Sequence, residues 1–560
     1  MGSNDEVLVV GAGPVGLTMA IALRRLGVHV RVVDKAPGTN REPRADVLFP
    51  RAGEVLGSIG VGERLRDSSY QMQGADIYGN GRRIGSFRVG QLSSQFPRAM
   101  TIEQHDIEKL LAEELAQWGV LVEWQTEATR MEVHEDRVDM TLRMAGGVEE
   151  QTTAAWVVAC DGSRSQIRDW LGIPFEGQRR RNMQVVQGNV VPSWHLPDHP
   201  GQGYFFLAPY RSVIAFPTPA GGYRIFCVRD DPDPQLTDPP TLDELRALVA
   251  GAAGIPDLRL ELTEPVWLSR SRFSDRIATT LRRGRVLLAG DAAHAWAPIG
   301  GHGMNVGILG AHNLAWKLAA VHRGHATDAL LDSYSTEQRV LARGVIRDMK
   351  FNIMEALLPA LPNRLRCAAL KAALPSQRFQ QRGEWVMSDF GRNHRASPLT
   401  WRHSRRPARG PRAGYRVPDV AVVGASEVAD RTSIAGPSQA TAVREDQRSA
   451  VAPEGGPPDV LSIAPQAARL HQLLSYDRWT LLLSADHVEA ATLLALRNAC
   501  AACPAPVQLL TVSAQHPDAT EELGRTDEYK LIRPDGYVAL VAQLERVDLL
   551  SDYLGMFFAP

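Results

Sequence analysis

Lysine is nearly missing from this 560-residue sequence: six occur, although Lys and Arg together number 62. Arginine is the chain's general cation, so the run Arg179, Arg180, Arg181 reads as a solvated face rather than a phosphate site. A formal net charge of −1 excludes the basic footprint of a nucleic-acid binder. Cysteine is scarce as well. Cys160, Cys227, Cys367, Cys500 and Cys503 are too few and too scattered for a disulfide framework. No apolar run approaches the roughly 18 residues of a membrane helix. The start, MGSNDEVLVVGAG, lacks a basic stretch leading into an apolar core, and Glu6 stands where a myristoylation pattern needs Ser or Thr. These absences predict a soluble, cytoplasmic chain with neither nucleic acid nor membrane as partner.

Glycine, by contrast, is concentrated. Residues 290–307, GDAAHAWAPIGGHGMNVG, hold five glycines in eighteen positions and run into a helical apolar pattern. Glycine forfeits packing and costs conformational entropy, so such a stretch makes sense where backbone turns sharply or lies against a ligand. A second glycine cluster opens the chain. EVLVVGAGPVGLTMAIALRRLGVHVRVVD reads as strand, turn, helix and strand, with Gly11, Gly13 and Gly16 in G-x-G-x-x-G spacing and Asp34 closing the second strand. In that unit the first glycine permits the turn, the second lets backbone approach a pyrophosphate and the third packs helix on strand. The helix N-terminus attracts the phosphates, and the acid suits ribose hydroxyls. The motif alone leaves NAD and FAD both open. Two further strands lead to small residues and an acid: WVVACDGSRSQIRDWLGI with Asp161 and Gly162, and RGRVLLAGDAAH with Gly290 and Asp291.

GAGPVG at 11–16, DGSRSQIR at 161–168 and GDAAHAWAPIGGHGMN at 290–305 occur in this order, and with them the sequence resembles the FAD-dependent aromatic hydroxylases of the para-hydroxybenzoate hydroxylase type. It is most similar to the branch with a C-terminal thioredoxin-like domain, which includes phenol and polyketide hydroxylases. The resemblance implies that Gly11, Gly13 and Gly16 face the FAD pyrophosphate and Asp34 the adenosine ribose. Arg44 and Gln104 would contact FAD, Asp161 and Gly162 belong to a motif tied to FAD and NADPH, and Asp291 would hold the ribityl hydroxyls. Pro298, Gly300, Gly301 and Gly303 would line the flavin, with Met304 and Asn305 offering backbone N–H groups to its pyrimidine edge. Reduced flavin gains negative charge near N1, which helix N-terminal N–H groups stabilise.

The implied fold is α/β: a Rossmann-like FAD-binding domain (1–70, 101–174, 276–350) interleaved with a β-sheet substrate domain (71–100, 175–275). Connecting helices (351–396) and a C-terminal thioredoxin-like domain (397–560) with a loop near 424–458 follow. Tyr204, Phe206, Phe216 and Phe226 are candidate pocket residues, with core packing, which accounts for most aromatics on strands, as the alternative for each. Where family members often read GGQGMN and then Gln-Asp, this chain has His302 and then Leu309 and Gly310. His302 is either a proton-handling group beside the flavin or a packing residue, and His294 reads as structural. Cys500 and Cys503 follow a helical run, the end at which the dipole raises a thiol pKa, so they read as a reduced, structural pair. The implied activity is NAD(P)H-dependent hydroxylation of a phenolic or polycyclic aromatic by O2 through a flavin C4a-hydroperoxide, with FAD held non-covalently and no metal. Baeyer-Villiger or epoxidising chemistry on the same scaffold, or a non-catalytic FAD protein stabilising a pathway intermediate, are the alternatives. A tryptophan halogenase would need G-W-x-W-x-I-P, which is absent. Oligomeric state, a homodimer among the options, is left open.

Overall fold

The computed structural model describes residues 6–40, 47–180, 182–197, 199–264, 266–402, 410–427, 468–484, 488–503, 505–514 and 522–558. The chain divides into two compact units, Met1–Gly324 with Asp328–Ser397, and His325–Thr327 with Pro398–Pro560. Among the described residues no helix is long and apolar enough to cross a membrane.

The first unit is built on a six-stranded sheet in the order Arg282–Arg283, Val286–Leu288, Trp156–Ala159, Glu6–Val10, His29–Val33, Val122–Glu123. All neighbours are parallel except the Arg282–Arg283 edge pair. The runs VLVV and WVVA are buried along their whole length, as strands covered on both faces must be. Register matters most for function. Val33 lies beside Val10, Val10 beside Ala159 and Ala159 beside Leu288, so four carboxyl ends finish level at one edge. The helix Pro14–Arg25 starts at that edge with proline in its first turn and buries Leu17, Ala20, Ile21 and Leu23.

An eight-stranded sheet joins segments distant in sequence, in the order Leu260–Leu262, Met183–Pro192, Tyr223–Asp230, Arg211–Pro217, Gln202–Ala208, Gly74–Gly79, Arg82–Arg88, with Leu268–Ser271 also paired to Met183–Pro192. Strand alternation divides its aromatics. Tyr204 and Phe206 share a face with Val213, Ala215, Ile225 and Cys227, and that face packs under the helix Leu242–Ala253 through Leu245, Leu248, Val249 and Ala252. The expectation that Tyr204 and Phe206 face the pocket is therefore corrected: they are core residues, and the intervening Phe205 takes the opposite face with Ile214, Phe216 and Phe226. The covering helix has clear ends. Thr241 Oγ1 accepts the Glu244 N–H at 3.1 Å, and Gly254 closes it in the left-handed conformation at φ 72°.

The second unit centres on a seven-stranded sheet in the order Trp401–Arg402, Val538–Gln543, Glu528–Ile532, Trp479–Ser484, Val507–Ala514, Ala421–Glu427, Ala468–Arg469. Trp479–Ser484 and Val507–Ala514 are parallel and joined through the helix Ala490–Ala501, while Glu528–Ile532 and Val538–Gln543 form an antiparallel hairpin about Pro534-Asp535-Gly536. Cys500 lies in the last turn of that helix and Cys503 just beyond it. Burial pushes the Cys500 thiol up to about 12 and raises Cys503 as well. The expectation of a loop from 424 is corrected at its first four residues. Residues 424–427 continue the strand, pairing Ser426 with Thr511 and Glu427 with Leu510 across a bulge, and the rest of the loop, 428–458, lies outside the described residues.

In the first unit the helices His302–His322 and Ala329–Lys350 are bound by a fully buried ion pair, Lys317 Nζ to Glu337 Oε2 at 2.8 Å, with Asn313 Nδ2 donating to the same oxygen at 2.8 Å. Removing one partner strands the other charge in the core. Lys317→Met should lower unfolding free energy by about 3–5 kcal/mol in denaturant titrations, and Lys317→Met with Glu337→Met should recover most of that loss. Equal loss in the single and double variants would show that the pair's charge balance is not what matters.

Candidate functional site

The shared strand edge opens into a cavity of about 910 Å³. Its glycines differ in what surrounds them. Gly11 sits at φ 106°, and a Cβ there would overlap the Cys160 carbonyl, while one at Gly16 would overlap the Gly11 carbonyl. Gly13 has nothing within 4 Å of a would-be Cβ, so its backbone lies open to the cavity between two glycines closed by packing. Asp34 is pinned: Oδ2 accepts the Ala12 N–H and Oδ1 the Ala36 N–H, each at 2.7 Å, and the remaining lone pairs are available to a ligand. Gln104 also lines the cavity and donates to Glu108 Oε1 at 2.8 Å, while Glu108 Oε2 accepts the Asn40 N–H at 2.9 Å. Burial raises the pKa of Glu108, against those hydrogen bonds. Arg44 lies outside the described residues.

Asp161 and Gly162 follow the strand Trp156–Ala159. Asp161 Oδ2 accepts the Ile167 N–H at 3.3 Å, whereas Oδ1 is buried with no hydrogen-bond partner, and burial raises this carboxyl's pKa. Asp291 is exposed to the cavity at the tip of the next strand. Pro298, Gly300, Gly301, His302, Gly303 and Met304 also line it. The turn over Gly300 and Gly301 runs at φ 75° and 72°, which side chains resist, and it aims the first turn of His302–His322 inward. The first N–H groups of a helix have no intrahelical acceptor. Asn305 is not among the lining residues. It is fully buried, its Oδ1 accepting the Phe49 N–H at 2.7 Å and its Nδ2 donating to Val47 O and Gly301 O at 2.9 Å each.

The far wall is the sheet face of Phe205, Ile214, Phe216 and Phe226, with Gln187 and Arg224 as polar interruptions. Trp296 completes it, its ring stacked on His294 at 4.9 Å and its Nε1 buried without a partner. His294 is not a lining residue. Burial drives its pKa down to about 4, and its neutral Nε2 meets the Gln338 amide at 2.9 Å. Gln338 occupies the space beside Gly310, where a Cβ would lie 2.6 Å from its Nε2, and so supplies polar groups beneath the motif that Leu309 and Gly310 do not.

Residues carried by no motif also reach the cavity. Glu355, in the turn after Ala329–Lys350, accepts the Gly300 N–H at 2.8 Å and the Asn352 amide at 3.0 Å on Oε1, while Oε2 is buried and unpartnered. Burial pushes Glu355 up to about 7, against the pull of those two donors and Arg180. Asp348 and Arg392 line the cavity too. Only Glu108 had a sequence signal, since it falls one helical turn after Gln104.

Glu355 titrates at its ordinary 4.5 when unfolded and near 7 when folded, so the folded state holds the extra proton between those values. Its contribution is complete below pH 4.5 and is lost as pH rises through about 7, a change on the order of 3 kcal/mol. Glu355→Gln should abolish this share of the pH dependence in denaturant titrations across that window. An unchanged pH profile would show that Glu355 titrates normally.

Residues 4–349 match the FAD binding domain family. The 6-methylpretetramide 4-monooxygenase of Streptomyces rimosus is 34% identical over 586 residues, spanning 98% of this chain and 94% of that protein. The OxyS anhydrotetracycline hydroxylase from Streptomyces rimosus aligns with a TM-score of 0.69 at 25% identity over 99% of both chains. The Diels-Alderase PyrE3 of pyrroindomycin biosynthesis aligns at 0.70 and 26% identity over 99% of this chain and 100% of that one. With a matching family over more than half its length and a relative over nearly all of it, the chain belongs to the FAD-dependent flavin monooxygenase and aromatic hydroxylase family, among polyketide hydroxylase relatives that carry a C-terminal domain.

Proposed function

We propose that this chain is an FAD- and NAD(P)H-dependent monooxygenase that hydroxylates a phenolic, polycyclic aromatic of the polyketide class. The observation that carries the reading is one cavity with a glycine-lined strand edge at one end and an aromatic sheet face at the other. Its residues fit the cofactor: Gly13 and Gly303 leave open space in front of the backbone, and Asp161 Oδ1 waits without a partner. Gly11, Gly13 and Gly16 would hold the pyrophosphate, Asp34 the adenosine ribose, Asp291 the ribityl chain, and the Pro298–Met304 turn the flavin ring. When bound, FAD supplies the activation of O2 and the oxygen transfer. The chain's own part is to bind, orient and exclude water. Phe205, Phe216 and Phe226 offer a flat apolar wall to a fused-ring substrate. Gln187 and the buried Arg224, whose guanidinium lies 4.4 Å from the Trp267 ring centre, offer polar handles to its oxygens. The substrates named for the two Streptomyces rimosus relatives support the polyketide class.

The likeness to a Diels-Alderase supports a second reading, in which the same cavity serves a reaction without oxygen transfer. Purified protein should be yellow, and NADPH with isotopically heavy O2 and a panel of polycyclic phenols should place one heavy oxygen on a ring carbon. Ring-opened ester would favour Baeyer-Villiger chemistry, and no nicotinamide oxidation with any ligand would favour the second reading.

We infer further that the C-terminal unit is thioredoxin-like without being a redox module. The parallel pair Trp479–Ser484 and Val507–Ala514 joined by a helix, with the hairpin Glu528–Ile532 to Val538–Gln543 alongside, supports the likeness. A redox pair, however, needs the helix N-terminus, and Cys500 and Cys503 sit at the other end with raised pKa values. Replacing both by Ser should leave turnover within about twofold; lost turnover with FAD retained would overturn this inference.

A further inference from the structure

His302 is the first residue of the long helix His302–His322 and lines the cavity, its ring 5.0 Å from that of Phe49. Its Nδ1 lies 3.0 Å from Oδ1 and 3.2 Å from Oδ2 of Asp389. Against a carboxylate Nδ1 carries the hydrogen, so Nε2 is the bare, proton-accepting nitrogen of the neutral ring. Nε2 makes no hydrogen bond to any described residue and is not among the buried unpartnered atoms, which leaves it accessible from the cavity that the ring lines.

Asp389 is held at some expense. Its side chain is 0% exposed, and its backbone sits in the left-handed region at φ 61°, uncommon for a residue with a side chain. Arg392 Nε donates to Oδ1 at 2.9 Å, and Arg392 in turn meets Asp348 Oδ2 at 2.7 Å. Burial pushes the Asp389 carboxyl up, but His302 and Arg392 outweigh it and hold it below its ordinary value. Glu355, which accepts the Gly300 N–H, is a further titratable group on the other side of Gly300. Asp389 is therefore a carboxylate fixed between Arg392 Nε and His302 Nδ1, placed to orient the ring and to balance charge beside it.

We propose that His302 and Asp389 form the proton-exchanging pair of this cavity, His302 Nε2 taking the hydroxyl proton of a bound phenol or enol while Asp389 orients the ring. The substrate O–H bond breaks, an N–H bond forms at Nε2, and a phenolate faces an imidazolium; no electrons are transferred. Phenolate is the more electron-rich ring, which an electrophilic oxygen transfer requires. His302 is the catalytic residue here and Asp389 a positioning residue. The inference rests on the phenolic substrate class proposed above.

The test is spectroscopic and needs no turnover. FAD-loaded protein is titrated with alizarin, a hydroxyanthraquinone whose phenolate absorbs to the red of its neutral form, across a pH series. Wild type should bind it as phenolate with an apparent pKa lowered by about one unit, a tenfold shift in the ionisation constant. His302→Gln, which retains an amide donor for Asp389 but no basic nitrogen, should lose the shift, and Asp389→Asn should lose part of it. If His302→Gln does not retain FAD, Asp389→Asn decides alone. An equal phenolate shift in wild type and in the deciding variant overturns the proposal, as does a wild type that binds only neutral dye or none. Such a result beside heavy-oxygen incorporation into a phenol would remove the pair and leave the proposed function standing; absence of both would remove the two together.

Discussion

Everything at the cavity depends on the parallel ladder that finishes four strands level. Parallel pairing fixes direction as well as register, so the chain leaving Val10, Val33, Ala159 and Leu288 emerges on one side whatever the length of the connections. A hairpin-built sheet would alternate its ends and scatter Gly11, Asp34, Asp161 and Asp291 to opposite edges. Small residues after each strand then keep the edge open, and the helix starting at Pro14 turns its positive end toward the same space.

The second wall obeys a different rule. On the sheet of Gln202–Ala208 and its neighbours, alternation decides which aromatic meets the cavity and which meets the helix Leu242–Ala253. Two sheets with opposite logics thus share one cavity: backbone is presented by the first, side chains by the second. The chemistry that needs close backbone approach and the chemistry that needs a fitted apolar wall are separated at the level of architecture.

Legibility in the sequence followed the same division. Glycines locked by φ or by overlap, such as Gly11 and Gly16, and the acids after strands were readable because the constraint is local and leaves a spaced pattern. Which face of a strand is covered is not local: alternation identifies two faces without naming the inner one, so the candidates mixed Tyr204 and Phe206 of the core face with Phe216 and Phe226 of the cavity face and left out Phe205. The helix Leu242–Ala253 that decides the question had its own signals, a Thr cap and a closing glycine, inside a segment read as strands. Glu355, Asp389 and Arg392 could not be found at all: Glu355 and Arg392 reach the cavity from turns with no spacing to mark them, and the fully buried Asp389 meets His302 across 87 residues.

The pairing of Gln202–Ala208 with Gly74–Gly79 carries a consequence for how the molecule is made. Gln202 meets Gly74 across 128 positions, and Leu288 joins Ala159 later still. A nascent chain must therefore keep the apolar strand Gly74–Gly79 with an unfilled edge until its partner has been synthesised, and loop closure on that scale slows folding. Unpaired edges held open for long are where chains join to one another. The demand on the cell falls during translation, before any cavity exists to be filled.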